Sequence, residues 1–266
     1  MIRDITLGQY FPGESVIHRL DPRVKIIATL MFIIELFIVD NFLGFAIAAV
    51  CLGIIIGVSK VPVSFIMRGL KPILLILMFT FALNIFMVDG RILWQWGFLK
   101  ITVEGLHLAV FMAIRLVLLL MGSSMLTLCT RPLSLTDGIE RLLSPFKKIG
   151  VPAHEIAMMM TIALRFIPTL LEETDKIMKA QQARGADFET GNIIQKAKAL
   201  IPILVPLFVS AFRIAQDLAM AMESRCYRGG NHRTRMHEMK LTGRDYVAIV
   251  LLILFMAAII IETRLF

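Results

Sequence analysis

Two arginines in this chain sit in matching local settings. Ala180-Gln181-Gln182-Ala183-Arg184-Gly185 and Ala221-Met222-Glu223-Ser224-Arg225-Cys226 each run alanine, three residues, arginine, small residue. Small side chains flank each guanidinium, Ala183 and Gly185 in the first motif, Ser224 and Cys226 in the second. The chemistry this pattern suits is recognition. Five donors in a rigid fork match a carboxylate, and slim neighbours let a partner's groove close around the fork. An arginine at a helix C-terminus also complements the helix macrodipole without meeting any partner. From these residues alone, both readings stand.

Residues capable of bond chemistry do not assemble into a site. His154-Glu155 has no second histidine at metal-ligand spacing, and Glu172, Glu173 and Lys176 read as a solvated helix face. No glycine loop of the phosphate-binding kind occurs, so ATP binding through such a loop is not expected. Cys51, Cys129 and Cys226 are odd in number and far apart, which argues against a disulfide framework or a cysteine zinc site. The expectation is a chain with no catalytic residue, no metal and no cofactor. Two ionisable residues interrupt apolar runs, Glu35 and Arg115. Such groups are costly inside a bilayer and are usually paired or functional. Counted inward from the outer ends of their runs, their depths differ by roughly 6 Å at about 1.5 Å per residue. The expectation is a structural ion pair; a substrate or proton pathway and independent snorkelling are the alternatives.

The elements that position these residues follow from composition. The chain has 266 residues, 58% of them hydrophobic and only 18% charged, with a mean hydropathy of +0.79. A soluble core could not hold that much apolar surface. Apolar runs occur at Val24–Val39, Phe42–Val58, Pro72–Val88, Leu106–Cys129 and Tyr246–Ile261, which gives five spans at about 20 residues each. No cleavable leader is expected, because the segment before Val24 is polar. Asp21-Pro22 opens the first run as N-cap and first helical residue.

The net charge of +8 is read as topology rather than nucleic-acid binding. Arg3, Arg19, Arg23 and Lys25 precede or open the first run, and Lys60, Arg68 and Lys71 follow the second. The Asp40-Asn41 turn has no basic residue, and Arg91 and Lys100 are balanced by Asp89 and Glu104, with Trp94 and Trp96 as interfacial anchors. This places the N-terminus inside. Residues 131–245 carry 17 Lys and Arg against 12 Asp and Glu, too charged for ordinary spans and too apolar for a soluble loop. A short helix is expected at Thr136–Ser144 and a long one from Ala153 to Arg184, kinked near Pro168. A break follows at Asp187–Gly191, then an apolar helix from about Ala199 to Tyr227. Gly185 and Gly229-Gly230 are the expected stops. Methionines along these helices, Met158 to Met160, Met178, Met220 and Met222, suit either an adaptable contact surface or ordinary gap-filling.

Taken together, the motifs resemble a known family. Gly8-Gln9-Tyr10-Phe11-Pro12-Gly13-Glu14-Ser15 with His18-Arg19-Leu20-Asp21-Pro22-Arg23, then Arg141-Leu142-Leu143-Ser144-Pro145, Ala163-Leu164-Arg165-Phe166-Ile167-Pro168 and Ala183-Arg184-Gly185, are similar to the transmembrane T component of energy-coupling factor (ECF) transporters. The resemblance covers essentially the whole chain. It implies an all-α membrane protein with about five transmembrane helices and a cytoplasmic module of about three coupling helices inserted before the last span. The divisions are then 1–130 for the N-terminal segment and spans one to four, 131–245 for the coupling module, and 246–266 for the last span and outer C-terminus. The implied function is a non-catalytic, multi-pass scaffold in a prokaryotic cell membrane. It joins two ABC-type ATPases to a substrate-binding S component for a vitamin or metal ion, and binds no nucleic acid. Ala183, Arg184, Gly185 and Ser224, Arg225, Cys226 map onto that family's ATPase-docking motifs, the second departing from the Ala-Arg-Gly form. The alternative is a stand-alone secondary transporter with its own site, with an intramembrane hydrolase further off.

Overall fold

The computed structural model describes residues 10–96, 99–186, 188, 192–229 and 239–265. Gly8, Gln9, Asp187, Glu189, Thr190, Gly191 and Gly230, to which the motifs and breaks above extend, lie outside these. So do the side chains of Trp94 and Trp96. In chain order the elements are α1 (Pro22–Ile38), α2 (Phe42–Ser59), α3 (Val63–Leu70), α4 (Leu74–Met87), β1 (Ile92–Trp96), β2 (Leu99–Thr102), α5 (Val103–Cys129), α6 (Pro132–Leu143), a 3-10 turn (Ser144–Ile149), α7 (Ala153–Ala183), α8 (Ile193–Ala199), α9 (Ile201–Ser224) and α10 (Gly243–Leu265). The chain is an all-α membrane protein but for one antiparallel hairpin among the described residues, β1–β2, paired from Ile92 with Thr102 to Trp96 with Leu99.

Among the described residues five helices are long and apolar enough to cross a bilayer, α2, α5, α7, α9 and α10, or six spans if the bent pair α3–α4 forms one. The expected count is met by a different set. The first run forms α1, only 17 residues long, and the third is the second limb of a pair, α3 and α4, bent by 60° about Lys71–Ile73. Pro72 lies inside that bend, where a missing N–H and a fixed φ interrupt a continuing helix.

The chain divides into two compact units, with the boundary inside α6 between Gly138 and Ile139. The first contains α1 to α5, the hairpin, the start of α6 and α10. Its start sites are joined by buried polar contacts. Asp21 caps α1, its Oδ1 accepting the Arg23 N–H at 2.9 Å, while the Asp21 N–H donates to Asp245 Oδ1 on α10 at 2.8 Å. Thr242 donates to Asp245 Oδ2 from both its N–H, at 2.7 Å, and its hydroxyl, at 2.8 Å. Lys25 Nζ bridges the carbonyls of His18 and Cys129 at 3.0 and 2.9 Å. The N-termini of α1 and α10 and the C-terminus of α5 therefore lie at one end of the bundle. That is the parity required if α1, α2, α4, α5 and α10 cross alternately.

The segment before α1 is folded onto the same end. Phe11 N–H donates to the Leu128 carbonyl at 2.9 Å. His18 Nε2 lies 3.1 Å from the Phe11 carbonyl and Nδ1 2.7 Å from Ser15 Oγ. Burial and the nearby Lys25 ammonium outweigh the Phe11 contact and hold the His18 pKa below its ordinary value. The ring is thus neutral at pH 7, with Nε2–H donating to Phe11 and Nδ1 accepting from Ser15.

Leu36, Val39, Phe45, Ala48, Ile66, Leu128 and Ile259 form the centre of the core, each no more than 2% exposed. Lipid tails are as apolar as leucine, so this core is held by close fit rather than by escape from solvent. Gly105 is where the fit is tightest against backbone. A Cβ there would meet the Asn84 and Ile85 carbonyls of α4 at 2.9 and 3.1 Å. Gly53 on α2 has nothing within 4 Å. Gly105→Ala is expected to destabilise the purified protein by about 1–3 kcal/mol, lowering Tm, whereas Gly53→Ala leaves Tm unchanged or raises it. Equal behaviour of the two variants would contradict the close approach of α4 and α5.

Candidate functional site

Ala183 is the last helical residue of α7, and Arg184 is its C-cap (φ −86°, ψ 4°). Gly185 follows in the left-handed region at φ +89°. The Gly185 N–H returns to the Gln182 carbonyl at 2.9 Å, and the Ala186 N–H to Gln181 at 3.0 Å. This is a Schellman cap, which satisfies carbonyls that the helix leaves open. The end of α9 repeats it residue for residue. Ser224 is last in the helix and Arg225 is the C-cap (φ −90°, ψ 14°). Cys226 takes φ +57°, its N–H returns to Glu223 at 2.8 Å, and the Tyr227 N–H to Met222 at 3.0 Å. The second motif thus keeps the geometry of the first although cysteine stands where glycine would be cheaper.

All six motif residues are exposed. Among the described residues no carboxylate lies within ion-pair distance of Arg184 or Arg225. Both forks therefore point outward from closed, well-formed helix ends. The two tips are also separate. Gln181, beside the α7 tip, donates to the Pro202 carbonyl in the first turn of α9 at 3.3 Å. From Pro202 to Arg225 runs about 35 Å of helix at about 1.5 Å per residue. Along their lengths α7 and α9 are barely covered: Ala153, Ala157 and Ile203 are their only buried residues, while Leu204, Phe208, Phe212 and Met220 are exposed. His154 does not act with Glu155; its Nδ1 meets Glu140 on α6 at 3.0 Å.

The expected ion pair between Glu35 and Arg115 does not form. Arg115 Nη2 donates to the Val39 carbonyl at 2.8 Å and lies 3.5 Å from Asp40, with its guanidinium 5.6 Å from the Phe45 ring centre. It takes up the end of α1, where open carbonyls and the negative end of the dipole attract a cation. Glu35, one turn deeper, is 3% exposed, and among the described residues neither carboxylate oxygen has a partner. A second buried carboxylate, Glu262 on α10, is likewise without one. It went unnoticed in the sequence because it stands one residue past the last apolar run.

Known proteins settle the family. The family model described as CbiQ, cobalt transport protein, matches residues 13–237. The chain is 58% identical over 249 residues to the energy-coupling factor transporter transmembrane protein EcfT of Thermosediminibacter oceani, covering 94% of each chain. It is 62% identical over 250 residues to that of Clostridium kluyveri, covering 93% of each. Against the Bacillus subtilis protein of the same name, identity is 48% over 258 residues, 97% of each. The chain belongs to the transmembrane components of ECF transporters.

For this ECF transmembrane component, the cap geometry and the arginine placement generate two checks. Cys226→Gly relieves a left-handed φ and is expected to stabilise the protein by about 1 kcal/mol, while Gly185→Ala costs a similar amount; thermal unfolding in detergent reads both. Because Arg115 serves α1's end rather than Glu35, the double exchange Glu35→Arg with Arg115→Glu is expected to recover none of the expression lost in the single variants. Recovery would restore the ion pair.

Proposed function

We propose that this ECF transmembrane component is the non-catalytic scaffold of an ATP-driven importer, docking two ABC-type ATPases through Arg184 and Arg225. The observation that carries the reading is the duplicate Schellman-capped arginine, exposed at two helix ends set about 35 Å apart by the length of α9. That spacing suits two separate grooves, one per ATPase subunit, better than a single one. In each groove a carboxylate would receive the fork in bidentate fashion. Closure of the ATPases on ATP then moves the two tips, and α7 and α9, each continuous from its tip into an apolar stretch, carry that motion away from the ATPases.

Topology supports the same assignment. Basic residues concentrate before α1, after α2 and across 131–245, so the N-terminus and the segment holding both tips are assigned to the cytoplasm. α7 and α9 are assigned to the cytoplasmic face, partly embedded, despite lengths that would allow crossing. Glu172, Glu173, Asp175, Lys176 and Lys179 along the second half of α7 would be costly at membrane depth, whereas α2 has no charged residue at all. The exposed apolar faces are the surface offered to the bilayer and to a substrate-binding S component. That component sets the cargo, a micronutrient such as a vitamin or metal ion.

Truncating one desolvated partner of a docked charge pair costs about 2–5 kcal/mol. Arg184→Glu combined with Arg225→Glu is expected to abolish co-purification with the ATPases while membrane insertion, followed by fractionation, is unchanged. Co-purification at the wild-type level would refute the docking role.

A further inference from the structure

At the end of the first unit, where α1 begins and α5 finishes, lies a cleft of about 370 Å³ that the docking role does not use. Its charged lining is Arg19, Lys25 and Arg131 against the single carboxylate of Glu14. Glu14 is spent on Arg19 at 3.2 Å and is itself 92% exposed. Neither Lys25 nor Arg131 has a carboxylate within ion-pair distance among the described residues. Arg131 instead sits 5.7 Å over the Tyr10 ring, and Lys25 is tied to two carbonyls. His18 also lines the cleft, whose cationic side is Arg19, Lys25 and Arg131.

Two further features point the same way. Thr130 lines the cleft, is only 5% exposed, and its Oγ1 is buried with no hydrogen-bond partner among the described residues. A buried hydroxyl without a partner carries a desolvation cost that a ligand acceptor would remove. Arg131 and Ser134 stand at the first turn of α6, where open backbone N–H groups and the positive end of the dipole favour an anion. Cationic side chains, a threonine with a spare hydroxyl and a helix N-terminus line one concave site at the ends of α1 and α5.

We propose that this cleft binds a phosphate-bearing anion, drawn from the headgroup of an anionic phospholipid or from a free phosphate compound. Its position at the ends of α1 and α5 suits the headgroup, since basic pockets between spans are recognised lipid sites. Occupancy would tie the segment before α1 to the start of α6, the helix that leads on toward the tips.

The test uses the full chain purified in detergent, with native mass spectrometry against phosphatidylglycerol and phosphatidylcholine and thermal unfolding against inorganic phosphate. Phosphatidylglycerol is expected to bind in preference to phosphatidylcholine, with affinity falling about fivefold in Arg131→Gln and in Arg19→Gln but not in Lys71→Gln, which removes an exposed charge outside the cleft. Thr130→Val is expected to weaken the anion while raising Tm in its absence, a combination that a purely structural threonine would not produce. Stabilisation by inorganic phosphate with no preference among lipids assigns the site to a free phosphate compound. Equal binding of both lipids without any response to phosphate, or equal behaviour of Arg131→Gln and Lys71→Gln, overturns the proposal.

Discussion

Asp245 accepts three hydrogen bonds on two oxygens, one from the backbone of Asp21 and two from Thr242. It is 1% exposed. Beside it, Asp21 receives both the backbone N–H and the guanidinium of Arg23, and Lys25 reaches from α1 to the last carbonyl of α5. Each is a charged group taken out of water, and each is tolerable only because its partners are in place. These contacts decide that α1, α5 and α10 share an end. The apolar core alone could not, because van der Waals packing between spans discriminates poorly between one helix direction and its reverse.

With one end pinned, the rest of the first unit follows from geometry. α2 returns the chain from the far end of α1, α4 leads out again, and Thr102 turns it back by capping α5 through Gly105 while donating to the Val88 carbonyl at the end of α4. At the far end of α1, Arg115 donates to the open Val39 carbonyl, whereas at the near end Asp21 and Asp245 accept from open backbone N–H groups. The second unit obeys a different logic. Its long helices bury almost nothing of their own, so their order comes from backbone hydrogen bonding and from whatever covers them, and their well-determined features are their caps.

How much of this was legible in the sequence depended on scale. Runs of apolar residues near span length, such as Phe42–Val58, announced α2 almost to the residue because nothing else accommodates them. Amphipathic α3 was hidden, since Arg68 and Lys71 interrupt the hydropathy even though Ile66 and Leu70 are buried. The hairpin was hidden too, being too short for a periodic signal. Counting depth along helices put Glu35 and Arg115 at similar levels but carried no information about helix rotation, and Asp40 with the open Val39 carbonyl offered the guanidinium a nearer anchor. For the tips, Gly185 betrayed a left-handed cap, whereas Cys226 gave no such sign. There the matching arginine, rather than the capping residue, was the clue.

The contact between Asp21 and Asp245 spans 224 residues, which gives it a meaning in time as well as in space. α1 is made long before α10. Until α10 is in place, the backbone N–H of Asp21 lacks the Asp245 carboxylate, and the start of α1 lacks part of its hydrogen bonding. A chain cut short anywhere between Asp21 and Asp245 therefore leaves the start of α1 without this contact.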